Sequence, residues 1–182
     1  MGTDWSVLPA PEDDGAARHL AGMALPVIGL PATHGQAVDL SALSGLTVVF
    51  AYPKTGRPDR ATPDGWDMIP GAKGCTPQSC AFRDLYQDLK AVGVDHLFGL
   101  STQDSAWQQE AVARLHLPYP LLSDADLALT KALNLPVFEH TGEVLHRRLT
   151  MILRDGVIED VIYPVFPPDE NARDVVARLS KG

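Results

Sequence analysis

The sequence predicts an α/β fold in which a central mixed sheet has helices on both faces. Residues 46–52 and 96–102 are continuous runs of aliphatic, β-branched and aromatic side chains, which is typical of central strands buried on both faces. Amphipathic segments with helix start and stop signals follow these two runs. Near the end of the chain, two apolar strands are joined at Asp155-Gly156, a dipeptide that favours a β-hairpin. Strands linked by helices and followed by a hairpin form a sheet with parallel and antiparallel pairs.

The predicted elements follow one another in chain order with short connections, apart from one long loop. We expect a short strand at 37–43, the first central strand at 46–52, a helix at 76–93, the second central strand at 96–102, a helix at 104–115, a loop with room for a short edge strand at 117–124, a helix at 125–134, the hairpin at 148–163 and a closing helix at 168–179.

Two segments stand apart from this regular order. Residues 1–22 are polar and acidic, and they predict an N-terminal arm with a short helix near 16–21, followed by a single domain at 23–182. Residues 53–74 are rich in Pro and Gly and show no periodicity, which predicts a loop. A loop of this length inside a compact domain is usually functional or mobile.

The composition limits the classes of partner and the location. The chain is acidic, with a formal net charge of -8 and a pI of about 5.1. It lacks the basic surface that attracts phosphate backbones or anionic lipids, so we expect no nucleic-acid and no membrane partner. The first residues contain neither the basic start nor the apolar run of a signal peptide, and the expected location is cytoplasmic. The six histidines are scattered without the spacing of metal ligands, and we expect no metal and no cofactor.

The only two cysteines of the chain, Cys75 and Cys80, lie five residues apart in the stretch GCTPQSCAFRD. In a reducing compartment, a neighbouring thiol pair is more often redox-active or metal-binding than a structural disulfide. Cys75 is predicted to precede the first turn of the 76–93 helix, with Thr76 as its cap, where free N–H groups and the helix dipole stabilise a thiolate. Cys75 is therefore a candidate nucleophile, and the alternative is a small buried apolar side chain.

The spacing of the two cysteines has a geometric consequence. An intact α-helix holds the Cα atoms of residues five apart at about 8.7 Å, whereas a disulfide requires less than about 7 Å. A bond between Cys75 and Cys80 would therefore require the first helical turn to unwind, which would couple oxidation to a conformational change. The alternative is that Cys80 packs beside Phe82 or Tyr86 and never meets Cys75.

The stretch GCTPQSCAFRD resembles the active-site helix of the peroxiredoxins, and most closely that of the Q-type, bacterioferritin-comigratory-protein-like group. In that family, Gly-Cys-Thr is followed by a second cysteine five residues after the first and then by Phe-Arg-Asp. Three further landmarks occur in the family order, namely Tyr52-Pro53 at the end of a strand, Gly99-Leu100-Ser101 at the end of the next strand, and Arg148-Leu149-Thr150 at the start of a late strand. The resemblance covers about residues 25–179 and implies a thioredoxin-like fold.

The resemblance also implies an activity and a role for each matching residue. The protein is expected to be a thiol-dependent peroxidase that reduces hydrogen peroxide and organic hydroperoxides. By that resemblance Cys75 is the peroxidatic cysteine, and Cys80 is the resolving cysteine that closes an intramolecular disulfide. Arg148 is expected to hold the thiolate and the peroxide, and Pro53 to shape the pocket and shield the sulfenic acid. Thioredoxin or a similar dithiol would reduce the disulfide, and members of the family occur as monomers and homodimers.

The sequence departs from the family pattern Pro-x-x-x-Thr-x-x-Cys that precedes the peroxidatic cysteine. The residue three positions before Cys75 is Ala72, and the segment between Pro53 and Cys75 is much longer than usual. The hydroxyl donor is therefore displaced or absent, and Thr55 is the first candidate to replace it. The insertion at 55–72 is expected to be a lid, a partner surface or an ordinary packed loop.

Two other functions stay open on the residues alone. A thiol-disulfide oxidoreductase without peroxidase activity would use the same thiols, although the spacing here is Cys-x4-Cys rather than Cys-x2-Cys. A redox-sensing or binding module would use the unwinding helix as a switch. The rate of thiol oxidation by peroxide, compared with the rate of exchange with disulfides, discriminates between these functions and the peroxidase.

Overall fold

A five-stranded mixed sheet forms the centre of the structure, a computed structural model that describes residues 2–182. Within these residues the strands are β1 (Gly29–Leu30), β2 (Val38–Asp39), β3 (Leu46–Ala51), β4 (His96–Ser101), β5 (Leu121–Ser123), β6 (Val137–His140), β7 (Glu143–His146), β8 (Leu149–Arg154) and β9 (Val157–Ile162). The central sheet has the order β5-β4-β3-β8-β9. β3 is parallel to β4 and β4 to β5, whereas the β3–β8 and β8–β9 pairs are antiparallel. The mixed sheet predicted from the sequence is confirmed.

Helices cover both faces of this sheet. In the described part of the chain they are α1 (Cys75–Asp84), α2 (Tyr86–Ala91), α3 (Ser105–Leu115), α4 (Ala128–Leu133) and α5 (Asn171–Ser180). Short 3-10 turns lie at Trp5–Val7, Leu40–Ala42, Trp66–Met68 and Pro168–Glu170. Among residues 2–182, no helix has both the length and the apolar character that a bilayer crossing requires.

Alternate residues of β3 enter two hydrophobic cores, one on each face of the sheet. Val49 and Ala51 pack in the core that includes residues of α4. Val48 and Phe50 pack in the core that includes residues of α1, α2, α3 and α5. Phe50 stacks on Phe82 of α1 with 4.3 Å between the ring centroids. The apolar run of β3 therefore reflects burial on both faces, and it fixes α1 against the sheet.

Some elements differ from the sequence prediction. The single helix expected at 76–93 is two helices, because the chain leaves helical geometry at Leu85. The first helix begins at Cys75, and Gly74 rather than Thr76 occupies its N-cap position. Residues 16–21 form turns instead of a short helix. The β6–β7 hairpin was not predicted, because most of its residues are exposed or half-buried and form no apolar run.

The N-terminal segment lies against the rest of the chain. Ala17 and Leu20 are buried in the core on the α4 side of the sheet. Trp5 donates its Nε1–H to Asp169 Oδ2 at 2.9 Å, and its ring meets that of Phe166 edge to face. Residues of the N-terminal segment therefore pack against the sheet and against the Pro168–Glu170 turn. The division into an arm at 1–22 and a domain at 23–182 stays a prediction.

Candidate active site

Cys75 is the first residue of α1 and follows the long loop after β3. Its side chain is 4% exposed. Gly74 precedes it with a φ of 117°, in the left-handed region that favours glycine. A Cβ at Gly74 would lie 2.5 Å from Pro168 Cγ and 2.8 Å from Trp5 Cη2, so a side chain has no room there. The chain therefore turns tightly into α1 and places Cys75 in the first turn, whose N–H groups lack partners within the helix.

The guanidinium group of Arg148 contacts the Cys75 sulfur. Arg148 Nη2 lies 3.3 Å from Cys75 Sγ and also donates to the carbonyl oxygens of Gly71 and Ala72 at 3.2 and 3.0 Å. Arg148 is 4% exposed, like Cys75, so the cation and the sulfur meet where water is largely excluded. A cation in such an environment interacts strongly with a thiolate and with charge that develops near it.

A chain of buried polar side chains holds Arg148 in place. Arg148 Nη1 donates to Gln78 Oε1, and Gln78 Nε2 donates to Asn171 Oδ1 at 2.9 Å. Thr150 Oγ1 donates to the same Asn171 oxygen at 2.7 Å. Gln78, Asn171 and Thr150 are all fully buried. Because buried polar groups that bond to one another fix each other's orientation, Thr150 acts on Arg148 through this chain.

Two members of this network, Gln78 and Asn171, were not identified from the sequence. Gln78 lies three residues after Cys75, so the two share one face of α1, and this spacing is a signal that sequence reasoning can use. Asn171 lies at the start of α5, 93 residues from Gln78. No local pattern connects residues so far apart, and Asn171 can be found only from the fold.

Cys80 lies in the second turn of α1 with a free, half-buried thiol. The helix is continuous from Cys75 through Cys80, and a hydrogen bond of 3.0 Å from Gln78 N–H to Gly74 O closes its first turn. Helical geometry places the two Cα atoms about 8.7 Å apart, beyond the reach of a disulfide. A Cys75–Cys80 bond therefore requires this first turn to open.

Pro53 and Thr55 are both buried at the start of the long loop. The Thr55 N–H and hydroxyl both donate to Gln103 Oε1, at 3.1 and 3.3 Å. The Thr55 hydroxyl therefore has an acceptor that is not Cys75, and its role as the replacement hydroxyl stays a prediction. The hydroxyl of Tyr52, the residue before Pro53, is buried without a hydrogen-bond partner among the described residues. Burial raises the pKa of Tyr52, so its phenol stays neutral.

A cavity of about 1240 Å³ gives access to Cys75. Its walls come from the loop after β3, the start of α3 and the turn between β6 and β7, and all three tryptophans of the chain line it, namely Trp5, Trp66 and Trp107. Arg148 lines a separate, smaller cavity of about 320 Å³ beside Arg147 and Tyr163. Cys75 thus lines the larger cavity, and Arg148, which lines the smaller one, contacts the Cys75 sulfur directly.

Comparison with known proteins gives the family. The Redoxin family model matches residues 20–177. The chain belongs to the Redoxin family. It is similar to chloroplastic peroxiredoxin Q of Oryza sativa subsp. japonica, with 30% identity over 159 residues that cover 87% of this chain and 65% of that protein. It is also similar to the putative peroxiredoxin bcp of Coxiella burnetii, with 29% identity over 163 residues that cover 87% of this chain and 97% of that protein. This Redoxin chain spans just under two thirds of the length of the rice relatives.

Solved structures of the family share the fold of this Redoxin chain. Peroxidoxin BcpB from Mycobacterium tuberculosis is 26% identical, with a TM-score of 0.69 over 89% of this chain and 97% of that one. A variant of PrxQ from Xylella fastidiosa is 20% identical, with a TM-score of 0.72 over 90% of this chain and 97% of that one, and this likeness shows the fold alone. The thioredoxin-like fold and the resemblance to Q-type peroxiredoxins are confirmed.

Proposed function

We propose that this chain is a thiol-dependent peroxidase that reduces hydrogen peroxide and organic hydroperoxides, with Cys75 as the peroxidatic cysteine. The observation that carries this proposal is the contact of 3.3 Å between the buried Arg148 guanidinium and the Cys75 sulfur at the start of α1. The cavity over Cys75 supplies a route for the peroxide. The similarity to peroxiredoxin Q and to peroxiredoxin bcp supports the same activity.

The first step is attack of the Cys75 thiolate on one oxygen of the peroxide. A sulfur–oxygen bond forms, the oxygen–oxygen bond breaks, and the departing oxygen keeps the bonding electron pair. This oxygen leaves as hydroxide or alkoxide and takes a proton to become water or an alcohol. Negative charge therefore moves from the sulfur to the departing oxygen, and the fixed Arg148 cation stabilises it during that transfer. Cys75 becomes a sulfenic acid, which Pro53 shields in this proposal.

The second step is attack of Cys80 on the Cys75 sulfenic acid, which forms a disulfide and releases water. Because the two cysteines are held apart in the intact helix, the first turn of α1 must open, and Cys75 must leave Arg148. A dithiol then restores both thiols by exchange, and we propose thioredoxin or a similar protein for this role. Both cysteines belong to one chain, so this cycle holds for a monomer or a homodimer.

The proposed location is cytoplasmic. A catalytic cycle that ends in a disulfide needs a compartment in which a dithiol pool keeps thiols reduced. Fractionation of the native cells, followed by immunoblotting of each fraction, tests this location. Recovery of the protein only in an oxidising compartment would contradict it.

The activity is tested by peroxide-dependent NADPH oxidation in the presence of thioredoxin and thioredoxin reductase. We expect turnover by the wild type, none by Cys75→Ser, and a single equivalent of peroxide consumed by Cys80→Ser before the reaction stalls. A wild type that loses both thiols to peroxide without turnover with any dithiol would instead be a redox sensor. A wild type that exchanges with disulfides faster than it reacts with peroxide would be a thiol-disulfide oxidoreductase.

A further inference from the structure

Residues 3–14 form a strap that packs against the start of α1. The Redoxin family model begins its match at residue 20, so the strap lies outside the part of the chain that the family match covers. One end of the strap, with Trp5, lines the cavity over Cys75. The other end, with Pro11, lines the smaller cavity. The strap therefore passes along both cavities of the candidate site.

Trp5 packs directly on the N-cap residue of α1. A Cβ at Gly74 would lie 2.8 Å from Trp5 Cη2, which places the indole against the Gly74 backbone. The Trp5 Nε1–H donates to Asp169 Oδ2 at 2.9 Å, and the ring meets that of Phe166 edge to face, with 6.2 Å between the centroids. Trp5 thus joins the first turn of α1 to the Pro168–Glu170 turn.

The carboxylate of Asp169 depends on Trp5 for its hydrogen bonding. Its Oδ1 is buried without a hydrogen-bond partner among residues 2–182. The indole N–H of Trp5 is the one donor to its Oδ2 in the same part of the chain. Removing the donor of a carboxylate with so little access to water is costly. This hydrogen bond therefore favours the arrangement in which the strap is seated on α1.

Pro11 makes a second contact with the segment that leads into α1. A Cβ at Gly71 would lie 3.1 Å from Pro11 Cγ. The Gly71 carbonyl oxygen accepts from Arg148 Nη2 at 3.2 Å. Three residues after Pro11, Asp14 Oδ1 accepts from the Tyr163 hydroxyl at 2.9 Å. The strap and Arg148 therefore contact the same short segment before Cys75.

The disulfide of the proposed cycle requires a change in the segment that the strap contacts. The bond between Cys75 and Cys80 needs the first turn of α1 to open. The hydrogen bond from Gln78 N–H to Gly74 O closes that turn. Opening the turn changes the backbone at Gly74, on which Trp5 packs. Contacts that are present in only one of two states shift the equilibrium toward that state.

We propose that Trp5 is a positioning residue that holds the first turn of α1 closed in the dithiol form, and that the strap is released when the disulfide forms. This inference rests on the proposed function, because it uses the Cys75–Cys80 disulfide of that cycle. There the two thiols lose two hydrogen atoms and two electrons, and the peroxide takes them to become water and either an alcohol or a second water. Because the strap binds the dithiol form, it makes the disulfide easier to reduce.

The test measures the reduction potential of the Cys75–Cys80 pair in a series of thiol–disulfide redox buffers, with alkylation and intact mass as the readout. Trp5→Ala removes the hydrogen bond and the aromatic contact, so the equilibrium constant for reduction should fall about tenfold. That change makes the potential about 30 mV more negative. Trp5→Phe keeps a ring beside Phe166 and should give a smaller shift. The control is Val7→Ala, in the same 3-10 turn but 74% exposed, which should keep the wild-type potential.

A strap with a purely structural role gives a different result. If the strap is seated in both redox forms, Trp5→Ala lowers the stability of both forms equally and leaves the potential unchanged, which would overturn the proposal. Hydrogen exchange on the wild type tests the release without any substitution. The amides of residues 3–14 should exchange about tenfold faster in the disulfide form than in the dithiol form. Equal exchange in the two forms would contradict the release.

The outcomes separate this proposal from the proposed function. A wild type that forms the disulfide with oxidised glutathione but reduces no peroxide would defeat the peroxidase, and a shifted potential in Trp5→Ala would still support the strap. A peroxidase with the same potential in the wild type and in Trp5→Ala would defeat only the strap. A wild type whose two thiols never join would defeat both the resolving step and the strap.

Discussion

Replacing Gly74 with alanine places a methyl group where α1, the N-terminal segment and the Pro168–Glu170 turn meet. The Cβ position lies 2.5 Å from Pro168 Cγ and 2.8 Å from Trp5 Cη2, closer than real Cβ contacts allow. A proline ring cannot rotate away, so either the turn or the start of α1 must shift. The Gly74→Ala variant therefore tests whether these three segments fix the first turn that carries Cys75.

The expected loss of stability follows from three contributions. Overpacking of a tight site costs about 1 to 3 kcal/mol. The left-handed conformation of Gly74 adds about 1 to 2 kcal/mol for a residue with a side chain. Alanine makes the unfolded chain less flexible than glycine does, which offsets about 0.4 to 1 kcal/mol of this loss of stability. The free energy of unfolding of the reduced protein should therefore fall by about 1 to 5 kcal/mol, with a central value near 3 kcal/mol.

The assay is urea denaturation of the reduced protein with a matched glycine variant. Gly93 has a φ of +100°, and no atom lies within 4 Å of its Cβ position. The Gly93→Ala variant therefore carries only the backbone cost, about 1 kcal/mol net. Equal losses in the two variants would refute the reasoning, because they would mean that Pro168 and Trp5 do not crowd Gly74.

The same variant should also shift the thiol–disulfide equilibrium. The disulfide needs the first turn of α1 to open, which relieves the crowding at Gly74, whereas the dithiol form keeps it. Gly74→Ala therefore destabilises the reduced form selectively and makes the reduction potential more negative. A difference of about 1 to 5 kcal/mol corresponds to about 20 to 110 mV, measurable against a glutathione redox series. An unchanged potential would mean that the crowding persists in the oxidised form.

Two further residues give independent predictions. Arg148→Lys keeps the positive charge but loses the planar guanidinium that contacts Gln78 and Cys75 together. The stopped-flow rate constant with hydrogen peroxide should therefore fall about 10- to 100-fold. An unchanged rate constant would contradict the role of Arg148 beside the Cys75 sulfur. Burial lowers the pKa of His146 from 6.5 to about 4, so between these pH values the unfolded chain binds a proton that the folded chain does not. Stability should therefore fall by about 3 kcal/mol as the pH falls through this window. In urea titrations, His146→Gln should lose this pH dependence of stability, whereas His34→Gln, at an exposed position, should keep it. Equal slopes of stability against pH in the two variants would contradict the assignment of this dependence to His146.

The parts of the fold that the sequence predicted are those whose residues share one environment. β3 and β4 are buried on both faces, so they appear as uninterrupted apolar runs. The turn at Asp155-Gly156 has the residues that its positive φ angles require. The β6–β7 hairpin escaped prediction because it lies at the surface without an apolar run. Two of its residues, Phe138 and His140, nevertheless contact the ring of Trp66.

The candidate site likewise contains some residues that the sequence identifies and others that only the fold identifies. Cys75 and Arg148 belong to local motifs, and the structure places the Arg148 guanidinium 3.3 Å from the Cys75 sulfur. Gln78 and Asn171 hold Arg148 through contacts between distant segments, which no local pattern records. Thr55 lines the cavity over Cys75, but its hydroxyl donates to Gln103. Hydrogen bonds from Trp107 and Arg114 of α3 to the backbone of residues 55 and 56 fix the start of the insertion there. Hydrogen-bond partners of this kind depend on the packed structure, not on spacing along the chain.

The most direct test of the central claim, that Cys75 is the nucleophile and Cys80 resolves it, is the reaction of reduced protein with one equivalent of hydrogen peroxide. Intact mass and free-thiol titration follow the products. The wild type should lose both thiols and two hydrogen atoms, and Cys80→Ser should gain one oxygen that a sulfenic-acid reagent traps at Cys75. Cys75→Ser should leave Cys80 unmodified. Untouched thiols in the wild type, or a Cys80 that reacts in Cys75→Ser as fast as Cys75 does in Cys80→Ser, would contradict the claim.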